Sequence, residues 1–426
     1  MVTTPKLRQA RKNQNRLFNY YAGYSTAFVE DALGLLNLNE GSLVLDPWNG
    51  SGTTTSVCAS RGHSTIGYDL NPAMVIVARA RLLDSSVKES IKSLCADIVE
   101  KSHDVARDIP DHYDPLEEWL YSKSARVFRS LDLSIRRLLV DANNYHHFYV
   151  PEALNRVSSL AAFFYVAAFR ALRKALHPFA SSNPTWIKCP RSQERVRPDS
   201  KTIFALFRKE VEELTQILES KKNSLSELAT KAKIELGNST VLPLADDIVD
   251  VVLTSPPYCT RIDYVVATKP ELALIGLGDK ARIIELRHGM IGTPTIKRGT
   301  LAPQIEWGTV CNSFLNKVRK HYSKASQSYY LKYFLQYFDS MFRSLVELRR
   351  VARDGAHAWL VVQDSYYKDV HNDLPSIVLE MAEGVGWQTD RRIDFPLTHT
   401  LAGVNLGARR YRKSFVANEA VLILRK

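Results

Sequence analysis

The sequence predicts an α/β fold interrupted by a mainly helical insertion, and three observations carry that reading. Two short apolar runs, Leu43-Val44-Leu45-Asp46 and Ser64-Thr65-Ile66-Gly67-Tyr68-Asp69, flank a glycine-rich turn and a helix, the βαβ order of a parallel sheet. A further strand-like run from Val249 to Leu253 ends in Ser255-Pro256-Pro257-Tyr258. Between these halves, residues 84–233 keep helical spacing and show no strand rhythm.

The elements follow in order. Residues 1–83 read as helix, strand, glycine turn, helix, strand, helix. In the insertion, 84–233, Leu131, Ile135 and Leu138 mark one helical face, and Val211, Leu214, Ile217 and Leu218 mark another. The apolar stretch between Arg156 and Arg170 is shorter than the roughly 18–20 residues of a membrane span and predicts a buried helix. Pro178 to Asp199, rich in Pro, Ser and Arg, breaks the helical pattern. Residues 234–426 resume α/β character, with a polar basic loop at 282–324 punctuated by glycines. A long helix near Tyr329–Ala352 stops at Asp354-Gly355, followed by a strand at Ala358–Val362 and a helix at Leu374–Gly384. Ala420 to Leu424 is one more strand-like run, alternatively a buried edge strand. There is no internal repeat.

Composition narrows the class. The 426 residues are 45% hydrophobic and 24% charged, which excludes a disordered chain. The length suggests two domains, or one domain with a large insertion. A formal net charge of +12 points to a polyanionic partner or an anionic membrane surface. Lys6, Arg8, Arg11, Lys12 and Arg16 run through a polar stretch, unlike a secretory signal. The five cysteines form no CxxC pair, which suits neither a disulfide framework nor a zinc site and predicts a reducing cytosol and no metal.

The segment Asp46-Pro47-Trp48-Asn49-Gly50-Ser51-Gly52-Thr53-Thr54 follows a strand and opens a helix. Its glycines permit a sharp turn and close approach to a ligand. An acid at the strand end suits a ligand bearing an ammonium group, whereas a phosphate calls for a Lys and a helix N-terminus free of carboxylate. Asp69 ends the next strand, where a carboxylate can accept both ribose hydroxyls. The pair fits S-adenosylmethionine better than a dinucleotide. The alternative is structural: Gly50 and Gly52 serve a tight turn, and Asp69 caps the helix before Pro72.

Leu253-Thr254-Ser255-Pro256-Pro257-Tyr258 resembles the catalytic motif of the amino-directed DNA methyltransferases, which methylate exocyclic amines of cytosine or adenine. The Asp46 turn resembles that family's cofactor motif, and Asn19-Tyr20-Tyr21-Ala22-Gly23-Tyr24-Ser25 its N-terminal cofactor segment. Gly237-Asn238-Ser239 with Leu242-Pro243-Leu244-Ala245-Asp246, and Arg350-Val351 with Asp354-Gly355, also match. The resemblance omits the insertion. It implies a Rossmann-like class I methyltransferase with a mixed seven-stranded sheet. It also implies a cofactor, S-adenosylmethionine, held by Tyr24, Ser25, Asp46, Pro47, Trp48, Gly50, Gly52, Thr53, Asp69, Leu70 and Asn238. The family commonly has an acid where Asn238 stands, which puts adenine binding there in question.

The resemblance assigns catalysis to Ser255, Pro256, Pro257 and Tyr258. An exocyclic amine conjugated to a ring is planar and a poor nucleophile. In the family its two N–H groups donate to the first side chain of the motif and to the first Pro carbonyl, here Ser255 and Pro256. Proline fixes φ and keeps those acceptors aimed. Tyr258 would stack on the flipped base. Serine rather than Asp or Asn at 255 points to the N4 amine of cytosine, with adenine N6 as the alternative. Methylation at cytosine C5 needs a Cys directly after a Pro, but Cys259 follows Tyr258 and Cys189 precedes Pro190.

Arg261, Arg287, Lys297 and Arg298 are candidate contacts to double-stranded DNA, with an Arg261–Asp263 ion pair as the alternative for the first. Other basic groups are His288, Lys317, Arg319 and Lys320; Arg191, Arg195, Arg197 and Lys201 near Trp186 and Lys188; and Arg409, Arg410, Arg412 and Lys413. Tyr145, His146, His147, Phe148 and Tyr149 read as core packing before DNA contact. The insertion is the candidate target-recognition region. An RNA methyltransferase and a non-catalytic binding subunit remain alternatives. The resemblance further implies a bacterial or archaeal cytoplasm and a cognate restriction or defence partner.

Overall fold

Val44 and Leu45 point to opposite faces of their strand and enter two different cores, which is the geometry the sheet repeats throughout. The computed structural model describes residues 2–5, 17–19, 23–109, 113–141, 148, 150–181, 186–219, 231–297, 299, 301–397, 411 and 417–426. The main sheet comprises β1 (Leu43–Asp46), β2 (Ser64–Asp69), β3 (Ala232–Leu236), β4 (Val249–Thr254), β5 (Ala352–Gln363), β8 (Gln388–Leu397) and β9 (Ala417–Arg425). β6 (Ser365–Tyr367) and β7 (Val370–Asn372) form a separate antiparallel hairpin. The order is β3-β2-β1-β4-β5-β9-β8, with β1 to β5 parallel and β9 antiparallel to both neighbours. This is a Rossmann-like mixed seven-stranded sheet. Strand order reverses between β1 and β4, and ligands bind at the carboxyl ends of strands at such a switch point.

The two faces are covered by different helices. Val44, Val251, Leu253, Trp359, Val361 and Val421 pack with α1 (Thr26–Leu36) and α2 (Thr53–Ser60). Their alternates Leu45, Val252, Ala358, Leu360, Val362, Ala420 and Leu422 share a core with three later helices. Helices α3 (Pro72–Ala80), α4 (Lys88–Asp108), α5 (Ser122–Leu139), α6 (Pro151–Asn155), α7 (Ser159–Ala175) and α8 (Ser200–Glu219) lie between β2 and β3. α3 begins by rule: Asn71 accepts from the Ala73 N–H, and Pro72 occupies the first position, where no N–H is needed.

Helices α4 to α8 fill much of the described chain from residue 84, and the sheet resumes at Ala232. Helices α4, α5, α7 and α8 do not stand apart. They share one core with α3, Ile234 of β3 and residues 265–277. Buried ion pairs cross the same boundary. Arg129 binds Asp114 and Asp132 and donates to the carbonyls of Ala273 and Leu274, and Arg173 binds Glu271. Leu131, Ile135, Val211, Leu214 and Leu218 are buried, but Leu138 faces solvent. Phe148 packs edge-on to Tyr165 beneath the Arg136 guanidinium, while Tyr145, His146, His147 and Tyr149 lie outside the described residues.

Later elements are α9 (Tyr264–Ala267), α10 (Lys269–Leu274), α11 (Lys280–Gly289), α12 (Gly308–Lys320), α13 (Leu331–Val351) and α14 (Leu374–Gly384). Two expectations are corrected. The stretch 282–324 is not one loop: α11 and α12 occupy much of it, and Arg287, His288, Lys317, Arg319 and Lys320 are helical. β9 is no edge strand. It sits between β5 and β8, and Val421, Leu422 and Leu424 are fully buried. Among the described residues no helix is long and apolar enough to cross a membrane.

Candidate active site

β1, β2 and β4 end side by side at the switch point, and their last residues build the site. Asp46 is 1% exposed. Its Oδ1 accepts from the Trp48 N–H at 3.1 Å and the Thr254 hydroxyl at 2.6 Å, and its Oδ2 from the Thr54 hydroxyl at 2.5 Å. The carboxylate therefore ties β1, β4 and α2 together, with most of its acceptor positions filled by the protein. The Tyr24 hydroxyl meets Thr54 from α1's side, and Ser25 caps α1 by accepting from the Phe28 N–H. Asp69 is half-buried, with Oδ1 accepting from Asn71 N and Oδ2 from Gly50 N, at 2.8 and 2.9 Å. Burial raises both carboxyl pKa values to about 6.

Gly50 and Gly52 have φ of +49° and +79°, the left-handed region that favours glycine. At Gly52 a Cβ would lie 2.7 Å from Ala78 Cβ, so helix packing also requires that glycine. Thr53 starts α2, Pro47 is buried, and Trp48 packs against the second core. Leu70 lies beneath Gly289 of α11. Past β3, the Asn238 Oδ1 accepts from the Thr240 N–H and hydroxyl, which orients the amide and presents its NH₂ as the remaining donor.

The donor set fits S-adenosylmethionine and not a phosphate. The N–H groups of Trp48, Asn49, Gly50 and Gly52 are all taken inside the protein, by Asp46, the Tyr68 carbonyl, Asp69 and the Asn49 carbonyl. A phosphate-binding turn keeps such groups open. Here the strand ends present two carboxylates, which favour a ligand bearing sulfonium and ammonium charge.

The Ser255–Tyr258 loop leaves β4 with the opposite character. Ser255 donates its hydroxyl proton to the Val361 carbonyl at 3.0 Å. The Tyr337 hydroxyl takes the Pro257 carbonyl at 2.7 Å, and among the described residues no donor reaches the Pro256 carbonyl. Tyr258 is half-buried, and its hydroxyl donates to Glu419 Oε1 at 2.8 Å. Burial and the Glu419 charge push that phenol well above its usual pKa. Glu419 was not foreseen, yet a lone acid in the apolar run Ala417–Leu424 is a legible signal. Cys259 is buried and its thiol is pushed up to about 12, which makes it inert as a nucleophile.

The basic candidates divide. Asp263 pairs with Arg287, not Arg261, at 2.6 Å, and caps α9 through the Val266 N–H. Arg261 is exposed and lies 4.8 Å over the Tyr330 ring. Lys297 is exposed, while Arg298, Arg409, Arg410, Arg412 and Lys413 lie outside the described residues.

Sheet order, an acidic switch-point turn and a proline-stiffened loop beside it define a Rossmann-like methyltransferase that uses S-adenosylmethionine. The family described as DNA methylase of the N6/N4 type matches residues 3–79, the span that carries the cofactor turn. The Type II methyltransferase M.BsoBI of Geobacillus stearothermophilus is 24% identical over 432 residues, covering 89% of this chain and 80% of its own length. M.HpaI of Haemophilus parainfluenzae is 29% identical over 122 residues, which cover 26% of this chain and 39% of that protein. M.AvaI of Nostoc sp. is 25% identical over 180 residues, or 39% and 37%. These matches support the amino-directed DNA methyltransferases of the N6/N4 type as the family this chain resembles.

Proposed function

We propose that this protein methylates the N4 amine of cytosine in DNA, as the modification enzyme of a Type II system. The observation that carries the reading is Ser255 after β4, its hydroxyl proton on the Val361 carbonyl, beside a Pro256 carbonyl that no donor reaches among the described residues. Because the Ser255 proton is committed to Val361, its oxygen meets an incoming amine as an acceptor. Two N–H groups donating to these two oxygens draw the amine nitrogen toward tetrahedral geometry and free its lone pair. Bound at the switch point, S-adenosylmethionine supplies a methyl group on a positively charged sulfur. Asp69 would hold the cofactor's ribose hydroxyls, and the Asn238 NH₂ would be a donor toward its adenine. Tyr258, held by Glu419, stacks on the base drawn out of the duplex.

Residues 84–233 serve target recognition in this reading. Support comes from the exposed Trp186, Lys188, Arg191 and Arg197, the last stacked 3.9 Å over Tyr121. The test is digestion of methylated DNA to nucleosides followed by mass spectrometry. N4-methylcytosine is expected, and N6-methyladenine alone would overturn the assignment.

A further inference from the structure

Tyr322 is 83% exposed, unusual for a large ring, and it is not loose. Its ring stacks on His321 at 4.6 Å between centroids and 21° between planes. His321 is clamped on both nitrogens, by Ser323 Oγ at 2.8 Å and Asp369 Oδ1 at 2.7 Å. Ser323 in turn bonds the Tyr367 hydroxyl at 2.7 Å. A run of rings leads back to the active site: His321 to Tyr367 at 5.3 Å, Tyr367 to Tyr330 at 4.9 Å, and Arg261 over Tyr330 at 4.8 Å. Arg261 stands three residues beyond Tyr258.

Cations line the same run. Lys368 lies 4.3 Å over Tyr411 and 6.0 Å over Tyr330, and Lys320 and Lys324 flank Tyr322 in sequence. Arg261 and Lys368 both hold positive φ, +58° and +57°, a backbone region that L side chains rarely adopt. The acid in the patch, Asp369, is engaged by His321.

We propose that this surface seats a nucleotide of the DNA strand next to the target, with its base stacked on Tyr322 and its phosphates against Arg261 and Lys368. A buttressed ring offers stacking area with little rotamer freedom to lose, and every base has a π-face. Cations beside it match the backbone of an unstacked strand, as expected where a base has been extruded. The proposal rests on the DNA methyltransferase reading.

The test is fluorescence anisotropy with a labelled oligothymidylate, alongside methyl transfer from labelled S-adenosylmethionine to bulk DNA. Tyr322→Ala should weaken oligothymidylate binding about tenfold, and Tyr322→Phe should restore it. Lys368→Ala should lower the salt slope of binding by about one phosphate contact. Unchanged binding by Tyr322→Ala, or a Phe variant as weak as the Ala variant, overturns the proposal. Wild-type protein that transfers no methyl to any DNA sinks the methyltransferase reading instead, and the binding series still scores the platform separately. A preference for oligouridylate lost equally in Tyr322→Ala would reassign the surface to RNA and overturn it.

Discussion

The cofactor turn and the Ser255–Tyr258 loop leave neighbouring parallel strands at the carboxyl end of the sheet, yet their hydrogen bonding runs in opposite senses. In the turn, four backbone N–H groups are taken by Asp46, Asp69 and the carbonyls of Tyr68 and Asn49, and the carboxylates also accept from Thr54, Thr254 and the Asn71 N–H. In the loop, the Tyr337 hydroxyl, the Val361 carbonyl and Glu419 hold the rim, while among the described residues no donor reaches the Pro256 carbonyl. A cofactor held at every turnover calls for a cradle that does not rearrange. A base that visits transiently calls for acceptors aimed in advance and not yet used.

Breaking the turn should cost the most stability. Asp46→Ala strands two buried hydroxyls and an N–H, and should lower unfolding free energy by about 3 kcal/mol in denaturant titration. Asp46→Asn keeps acceptors and should lose less. On the loop side, Ser255→Ala should lower kcat about 100-fold while leaving S-adenosylmethionine affinity near wild type. An equal loss of cofactor binding would erase the distinction between the two regions.

Titration sharpens the contrast. Asp46 and Asp69 have pKa values raised by burial to about 6, so the fold disfavours their charged forms. Their contribution to stability is present in full below the unfolded carboxylate value and is lost as pH rises through about 6. Cofactor binding runs the other way, because the cationic ligand favours the ionised carboxylates. Calorimetry should find S-adenosylmethionine binding weakened several-fold as pH falls through about 6. S-adenosylhomocysteine, which lacks the sulfonium charge, should weaken less. Glu419→Gln keeps an acceptor for Tyr258 and should lower kcat only a few-fold, with Glu419→Leu lower still. The smallest effect belongs to Arg287→Ala. Its guanidinium braces Asp263, so the salt slope of DNA binding should not change.

Much of this was legible before any coordinates. β2 matches its apolar run end to end, β1 likewise, and α14 covers the helix read at Leu374–Gly384. The Asp46 turn and the Ser255 loop meet at the switch point because a strand places both. What escaped depends on partners distant in sequence. Arg287 finds Asp263 across 24 residues, and Tyr258 finds Glu419 across 161. α11 and α12 were hidden because glycines and dense charge read as loop, although Gly289 closes one helix and Gly308 opens the other. β9 read equally well as an edge strand, since a short buried run carries no record of its neighbours.

The position of β9 also sets an order of events. β8 is made first, yet among the described residues it pairs with the sheet only through β9. It can therefore join the sheet no earlier than β9 docks on β5. That docking delivers Glu419 to Tyr258. Completing the sheet and bringing Glu419 to the Tyr258 hydroxyl become one event, so a chain whose β9 has not docked lacks this contact. Pulse-labelled hydrogen exchange during refolding should protect the β9 amides no later than those of β8, and the reverse order would refute the sequence of docking.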